Sequence, residues 1–402
     1  MAFFCRCRGA AYPRLEVRHQ ASGLNSHFAG GDTFADYVLR TREMLARAHA
    51  GTTRSDLENI VDGNAPFELK PSTDAPRGIS KPYRRGVLLT HGLSDSPYFM
   101  RHLAAFFREN GFRVMAILLP GHGTQPGDLL DVHWQEWARA IEFGADKLAE
   151  EVDEVYLAGY SAGAALSINH SLIDSRVRGM FLFSPALEIS QRAALAYWHT
   201  LYSWLMPSAK WVELKPDLDI FKYESFPKNA AVQMYLLTKL VAARIKGHGL
   251  HIPTFVAASL DDATVHASAT LEFISRTKHP ASKLVLYATE SAVLSPEVPL
   301  DKIERVNSTF PEQRIFSSAH TAIVMPPEDA HYGEAGEYVN CLHYHPQDMD
   351  KYQACLDKSN AAFQGEVTSG NLGKGLLRRL MYNPNYAALK DSMRRFIEQL
   401  PA

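Results

Sequence analysis

Hydrophobic and polar positions along the chain fall into two alternating registers. Residues 86–90 (Gly-Val-Leu-Leu-Thr), 112–119, 155–158, 177–183, 252–258 and 283–287 are short apolar runs of strand length, punctuated by Gly, Pro, Ser or Asp. Runs that are continuous rather than alternating suit strands covered on both faces. Between them lie helical patterns. Ser96-Pro97 reads as a cap and first helical residue, with Gly111 as the stop. Residues 134–151 are amphipathic, a small-residue helix follows Gly163, and 267–277 is another helix. This alternation predicts an α/β fold with a mostly parallel central sheet and helices on both faces.

Two stretches depart from that rhythm. Residues 1–82 read as an N-terminal extension. Within it, 1–31 are poorly ordered, 32–50 form one helix capped by Asp32-Thr33, and 51–65 are loop with a short helical turn. Residues 67–70 are an edge strand, followed by a Pro/Gly/Ser-rich link over 71–82. Residues 83–402 form the main domain. Inside it, 186–250 carry Leu201, Trp204, Leu205, Met206, Trp211, Met234, Leu236, Leu237 and Leu240 without strand punctuation. They predict a helical cap laid over one end of the sheet, with a plain core helix as the alternative.

Composition adds limits. At 402 residues, 46% hydrophobic and 21% charged, the chain can bury a sizeable core. A formal net charge of -2 gives no basic footprint for nucleic acid, and no apolar run approaches the ~20 residues of a membrane span. The N-terminus does not read as a signal peptide. The four cysteines are Cys5, Cys7, Cys341 and Cys355. Their spacing matches no zinc pattern, and no metal or cofactor is expected. The cytoplasm is favoured, unless Cys341 and Cys355 pair, which would point to an exported compartment.

The chemistry centres on Val155-Tyr-Leu-Ala-Gly-Tyr-Ser161-Ala-Gly163. A Gly-x-Ser-x-Gly sequence between a strand and a helix is the setting of a nucleophile elbow. There, the serine sits on a strained turn and the glycines clear the strand–helix crossing. A serine hydroxyl needs a base, and the base needs a carboxylate. Asp261 and Asp262 follow the strand at 252–258, on the rim where active sites of parallel sheets lie. Asp262 is preferred because Val265 would anchor the turn, and Asp261 stays the competitor. Among 17 histidines, His320 follows the strand-like run 315–319 and lies downstream of the acid. His331, His343 and His345 are weaker candidates. The long spacing between Asp262 and His320 implies a rim-wrapping insertion at about 289–313. For an oxyanion, the backbone N–H groups of Ala162 and Leu93 are the expected donors, with Gly92 allowing close approach. His91 reads as a structural support of that loop. The pairs His343/His345 and His248/His251 lack the remaining ligands of a metal site.

Taken together, Leu89-Thr-His-Gly-Leu93, Pro120-Gly-His-Gly123, the Trp134/Trp137 helix, Gly-Tyr-Ser161-Ala-Gly163, Asp261-Asp262 and Ser-Ala-His320 resemble the α/β-hydrolase superfamily. Within it, the likeness is to bacterial carboxylesterases and monoacylglycerol lipases with a small helical cap, and it covers roughly 85–329 plus a closing helix at 386–400. The resemblance implies a Ser161–Asp262–His320 triad, a Leu93/Ala162 oxyanion hole and an apolar acyl pocket under the cap. It also implies a serine esterase working through an acyl-enzyme on short- to medium-chain, small-molecule acyl esters. Thioesterase, amidase, peptidase or acyltransferase chemistry on the same triad is the alternative, as is a non-catalytic module of the same fold. The segment 330–376 has no counterpart in that likeness.

Overall fold

The computed structural model describes residues 15–28, 31–72, 77–189, 207–290, 292, 294 and 299–401. In chain order, helices α1 (Phe34–Ala48) and α2 (Arg54–Asn64) precede strands β1 (Phe67–Leu69) and β2 (Tyr83–Thr90). Then follow α3 (Arg101–Glu109), β3 (Phe112–Ile117), α4 (Trp134–Glu151), β4 (Val152–Tyr160), α5 (Ala162–Ser171) and β5 (Val177–Phe183). A small ribbon of β6 (Trp211–Glu213) and β7 (Phe226–Pro227) leads into α6 (Lys228–His248), β8 (Thr254–Ser259), α7 (Ala267–Arg276), β9 (Lys283–Ala288) and β10 (Ile303–Asn307). The chain ends with α8 (Met349–Leu356), β11 (Phe363–Gly365), α9 (Ser369–Leu372), β12 (Leu377–Arg379) and α10 (Tyr386–Glu398).

The central sheet has eight strands in the order β1-β3-β2-β4-β5-β8-β9-β10. Edge strand β1 runs antiparallel to β3, and all other pairings are parallel. Successive residues of the inner strands point to opposite faces. Val155, Leu157, Met180, Leu182, Val256 and Leu284 join one core with α4, α5, α6 and α7. Tyr156, Ala158, Phe181, Phe183, Phe255 and Val285 join the other with α3 and α10. That double burial is why these strands read as unbroken apolar runs.

Several local expectations change. Residues 54–64 are a full helix rather than a short turn: Thr53 caps it by accepting from the Asp56 N–H, and Ile60 and Val61 are buried. Residues 15–28, expected to be poorly ordered, lie across the Gly121–Asp128 turn. The Ser22 N–H donates to Asp128 Oδ1 at 2.6 Å, and Asn25 Oδ1 accepts from the Gly121 N–H at 2.9 Å. The expectation for 1–14 and 29–30 lies outside the described residues.

The insertion at 289–313 contains β10, a half-exposed edge strand paired with β9. Its Ile-Glu-Arg-Val-Asn composition hides it, because one face meets water. The run 315–319 is not a ladder strand. Only Ile315 makes isolated bridges, to Phe310 and Gln364, and the chain then enters a 3₁₀ turn at His320–Ala322.

In the cap region, residues 190–206, with Leu201, Trp204, Leu205 and Met206, lie outside the described residues, as does much of the lining expected for an acyl pocket. The described remainder is not wholly helical, since β6 and β7 pair there. Helix α6 packs on α4 and α5, and its Ala230, Met234, Leu237 and Val241 belong to the sheet core.

Candidate active site

The site grows from the β4–α5 junction. Ser161 has φ 52° and ψ −111°, a conformation that costs a non-glycine residue about 1–3 kcal/mol. Its N–H is held by the Phe183 carbonyl of the neighbouring strand at 2.9 Å. A Cβ on Gly159 would come within 2.3 Å of the Gly163 carbonyl oxygen. One on Gly163 would lie 2.2 Å from the Thr90 carbonyl oxygen. The two glycines therefore let helix α5 approach β4 and β2 closely enough to turn the serine out of the sheet.

Three sequence-predicted side chains meet here. Ser161 Oγ lies 3.0 Å from His320 Nε2, and His320 Nδ1 lies 2.6 Å from Asp262 Oδ2. The natural assignment has Nδ1–H donating to the carboxylate and Nε2 accepting from the serine hydroxyl. Asp262 comes from the turn after β8. Its other oxygen accepts the N–H groups of Thr264 at 2.8 Å and Val265 at 3.0 Å, and the Val265 side chain is buried. Burial alone would raise the Asp262 carboxyl. The His320 imidazole and the two backbone donors outweigh it and hold the carboxyl below its usual range. Asp261 points elsewhere, accepting from the Ser308 hydroxyl at 3.3 Å, and burial raises its carboxyl.

His320 is held from its backbone as well. Its carbonyl accepts the Tyr160 and Ser184 hydroxyls, each at 3.2 Å, and its N–H donates to Glu366 Oε2 at 3.0 Å. None of these partners carried a signal in the sequence. Tyr160 is the variable position inside the elbow motif, and Glu366 lies 46 residues beyond the histidine.

The loop after β2 faces the serine. A Cβ on Gly92 would lie 3.2 Å from Ser161 Cβ, so the Leu93 peptide runs close beside the nucleophile. Among the described residues, neither the Leu93 nor the Ala162 N–H has a hydrogen-bond partner. Two sealed histidines shape this loop. His91 Nε2 accepts from the Leu119 N–H at 3.0 Å, and His122 Nε2 accepts from the Ser94 N–H at 3.1 Å. Their Nδ1 atoms face the Gly92 and Pro120 carbonyls. Burial pushes the His122 imidazole down to about 4, and His91 well below its ordinary value.

Segment 217–225 closes over the loop. Lys222 Nζ donates to Asp95 Oδ1 at 2.6 Å, and the Tyr223 N–H donates to the Ser94 carbonyl at 2.8 Å.

The other candidate histidines lie elsewhere. His331 Nε2 is 3.2 Å from Asp219 Oδ1. His343 and His345 flank Tyr344 in the loop closed by a Cys341–Cys355 disulfide, and burial lowers His343 to about 4. Among the described residues, no cluster of three or more His, Cys, Asp or Glu side chains is arranged to hold a metal ion.

Residues 81–290 match a family model described as serine aminopeptidase, S33. A thermostable monoacylglycerol lipase from Bacillus sp. (strain H-257) is 26% identical over 204 residues, covering 50% of this chain and 80% of the relative. Among solved structures, the metagenome-derived lipolytic enzymes LipS and LipT give a match with TM-score 0.47 at 20% identity, covering 56% of this chain and 87% of that one. A monoacylglycerol lipase from Paleococcus ferrophilus gives TM-score 0.43 at 16% identity, with 56% and 88% covered.

Proposed function

The chain belongs to the serine aminopeptidase S33 family of α/β hydrolases, and from that premise we propose that it is a serine ester hydrolase working through an acyl-enzyme. The observation that carries the reading is the unbroken line from Ser161 Oγ through His320 to Asp262, at 3.0 and 2.6 Å.

In this reading, His320 Nε2 takes the hydroxyl proton as Ser161 Oγ attacks the acyl carbonyl. The Leu93 and Ala162 N–H groups, which have no hydrogen-bond partner among the described residues, receive the oxyanion. Asp262 holds the Nδ1–H tautomer and stabilises the imidazolium. His320 returns the proton to the leaving alcohol, and water then attacks the acyl-enzyme by the same route in reverse. The substrate proposed is a small-molecule ester of a short- or medium-chain acid, a monoacylglycerol among them, in line with the relative named as a monoacylglycerol lipase. Among the described residues, no helix is long and apolar enough to cross a membrane.

The family description itself favours a second reading, the same triad acting on an amide or peptide bond. A p-nitrophenyl ester series from two to sixteen carbons, run beside matched p-nitroanilides on wild type and Ser161→Ala, tests both. Ester turnover that disappears in the variant and peaks at four to eight carbons is expected. A dominant anilide rate would move the assignment to the peptidase. Undiminished turnover in Ser161→Ala would exclude both.

A further inference from the structure

Segment 330–379 lies beyond the matched residues 81–290, yet it reaches the site at two points. Glu366 follows β11, and its side chain is 1% exposed. Its Oε2 accepts the His320 N–H at 3.0 Å, and its Oε1 accepts the Val367 N–H at 2.8 Å. Arg379 closes β12. The parallel register pairs Gly365 with Arg379, which brings the guanidinium beside the carboxylate. Arg379 Nε is 2.9 Å from Glu366 Oε1, and Nη2 donates to Oε2 at 3.1 Å. The same Nη2 donates to Thr264 Oγ1 at 2.6 Å, and the Thr264 N–H holds Asp262 Oδ1 at 2.8 Å. One ion pair therefore ties together the peptide that carries the imidazole and the turn that carries the carboxylate.

We infer that Glu366 and Arg379 are positioning residues for His320 and Asp262, fixing from outside the central sheet the separation that the proton relay needs. The inference rests on the triad reading above. A covered ion pair is a poor device for stability alone, because apolar side chains of the same volume often do as well. Here each member also makes one hydrogen bond to a loop that carries a triad residue, Glu366 to the His320 N–H and Arg379 to Thr264. Burial would lower the Arg379 guanidinium, but Glu366, with Tyr160 and Asp262, more than offsets it and the group stays charged. The charged and titratable groups that bear on His320 come from several elements. They are Asp262 after β8, Glu366 after β11, Arg379 of β12, Asp95 with Lys222 beside the β2 loop, and the Tyr160 hydroxyl of β4.

The test compares Glu366→Gln, Arg379→Gln and Arg379→Lys with wild type and Ser161→Ala, using ester kcat, KM and the pH profile of kcat/KM. Both glutamine variants are expected to lose about 10- to 100-fold in kcat, with KM changed less than about threefold, as for a small misplacement of catalytic groups. The acidic limb of kcat/KM should move to lower pH in Glu366→Gln, where an unpaired cation disfavours the imidazolium. It should move to higher pH in Arg379→Gln, where an unpaired anion favours it. Arg379→Lys keeps the charge, so its limb should stay with wild type while kcat recovers in part. A purely structural pair would not split the limbs in opposite directions. Wild-type kcat in folded glutamine variants, or limbs that stay put or move together, would overturn the inference.

Should either glutamine variant fail to fold, Thr264→Val decides. Thr264 is exposed, and the change severs only the Arg379 contact with the Asp262 turn. A loss of roughly three- to tenfold in kcat is expected, and unchanged kcat overturns the inference. Persisting turnover in Ser161→Ala would instead sink the triad reading, a failure distinct from inactive Ser161→Ala beside fully active Glu366→Gln.

Discussion

The stretch from β2 to β8 and the C-terminal segment 330–379 both hold the site, by different physical means. In the first, backbone does the holding. Ser161 sits at φ 52°, Gly159 and Gly163 clear the crossing, and strand register delivers the Asp262 turn to the rim. In the second, side chains and a cross-link do it. Glu366 and Arg379 reach the His320 and Asp262 loops, Asn340 accepts the Arg379 N–H at 3.0 Å, and Cys341–Cys355 closes the adjoining loop. The contrast follows from where each region sits. A nucleophile inside a buried parallel sheet can be oriented by ladder hydrogen bonds, whereas a histidine on a long loop cannot and needs partners brought in from elsewhere.

Breaking the first region should produce the largest effects. Ser161→Ala is expected to remove roughly 10³- to 10⁶-fold of ester turnover, and failure of a fluorophosphonate probe to label the variant would accompany it. Asp262→Asn should cost about 10²- to 10⁴-fold in kcat. Asp261→Asn should stay within about threefold, since its carboxylate faces Ser308, and a larger loss in Asp261→Asn than in Asp262→Asn would reverse the assignment of the acid. Gly163→Ala sets a Cβ against the Thr90 and His91 carbonyl oxygens at 2.2 and 2.6 Å. It should cost about 4 kcal/mol or prevent folding, read by thermal unfolding.

Smaller effects sharpen the contrast. Opening the Cys341–Cys355 loop, 14 residues in separation, by reductant or by paired serine substitution should cost about 3 kcal/mol. It should lower kcat through the Arg379 strand while leaving the elbow intact, as judged by probe labelling. A loss confined to the elbow would contradict the division of labour.

The smallest expected effect is a pH dependence within the first region. His122 is depressed to about 4 in the folded protein and returns to its ordinary value near 6.5 on unfolding, so the unfolded chain binds the extra proton between those values. Its contribution is complete above about 6.5 and lost as pH falls toward about 4, worth on the order of 3 kcal/mol at most. Chemical unfolding of His122→Asn across pH 4 to 7 should show a flatter slope than wild type. An unchanged slope would mean that His91 and other groups carry it.

Legibility followed the same division. Strands β2, β3, β4, β5, β8 and β9 were readable because burial on both faces leaves unbroken apolar runs. Strand β10 was not, because an edge strand mixes Ile and Val with Glu and Arg and looks like loop. Helix α2 reads weakly because Leu57, Ile60 and Val61 are its whole apolar face and a glycine and several polar residues surround them. The run before His320 misled in the other direction. Ile315 and Ala319 are buried against Leu380 and Tyr382 rather than laddered to a strand.

What the sequence determined alone is whatever depends on local geometry: the elbow at Ser161, the glycines around it, the Asp-Asp turn after a buried strand, and the parallel α/β order. Tertiary structure decided which of two adjacent aspartates faces the imidazole, and that His320 rather than His331 reaches the serine. It also decided that two cysteines 14 residues apart pair, and that Glu366 and Arg379 meet across the β11–β12 register to grip two loops. The physical reason is common to all four. Turn strain and side-chain periodicity are written in neighbouring residues, whereas contact between groups far apart in the chain depends on how the whole sheet twists and what packs against its rim.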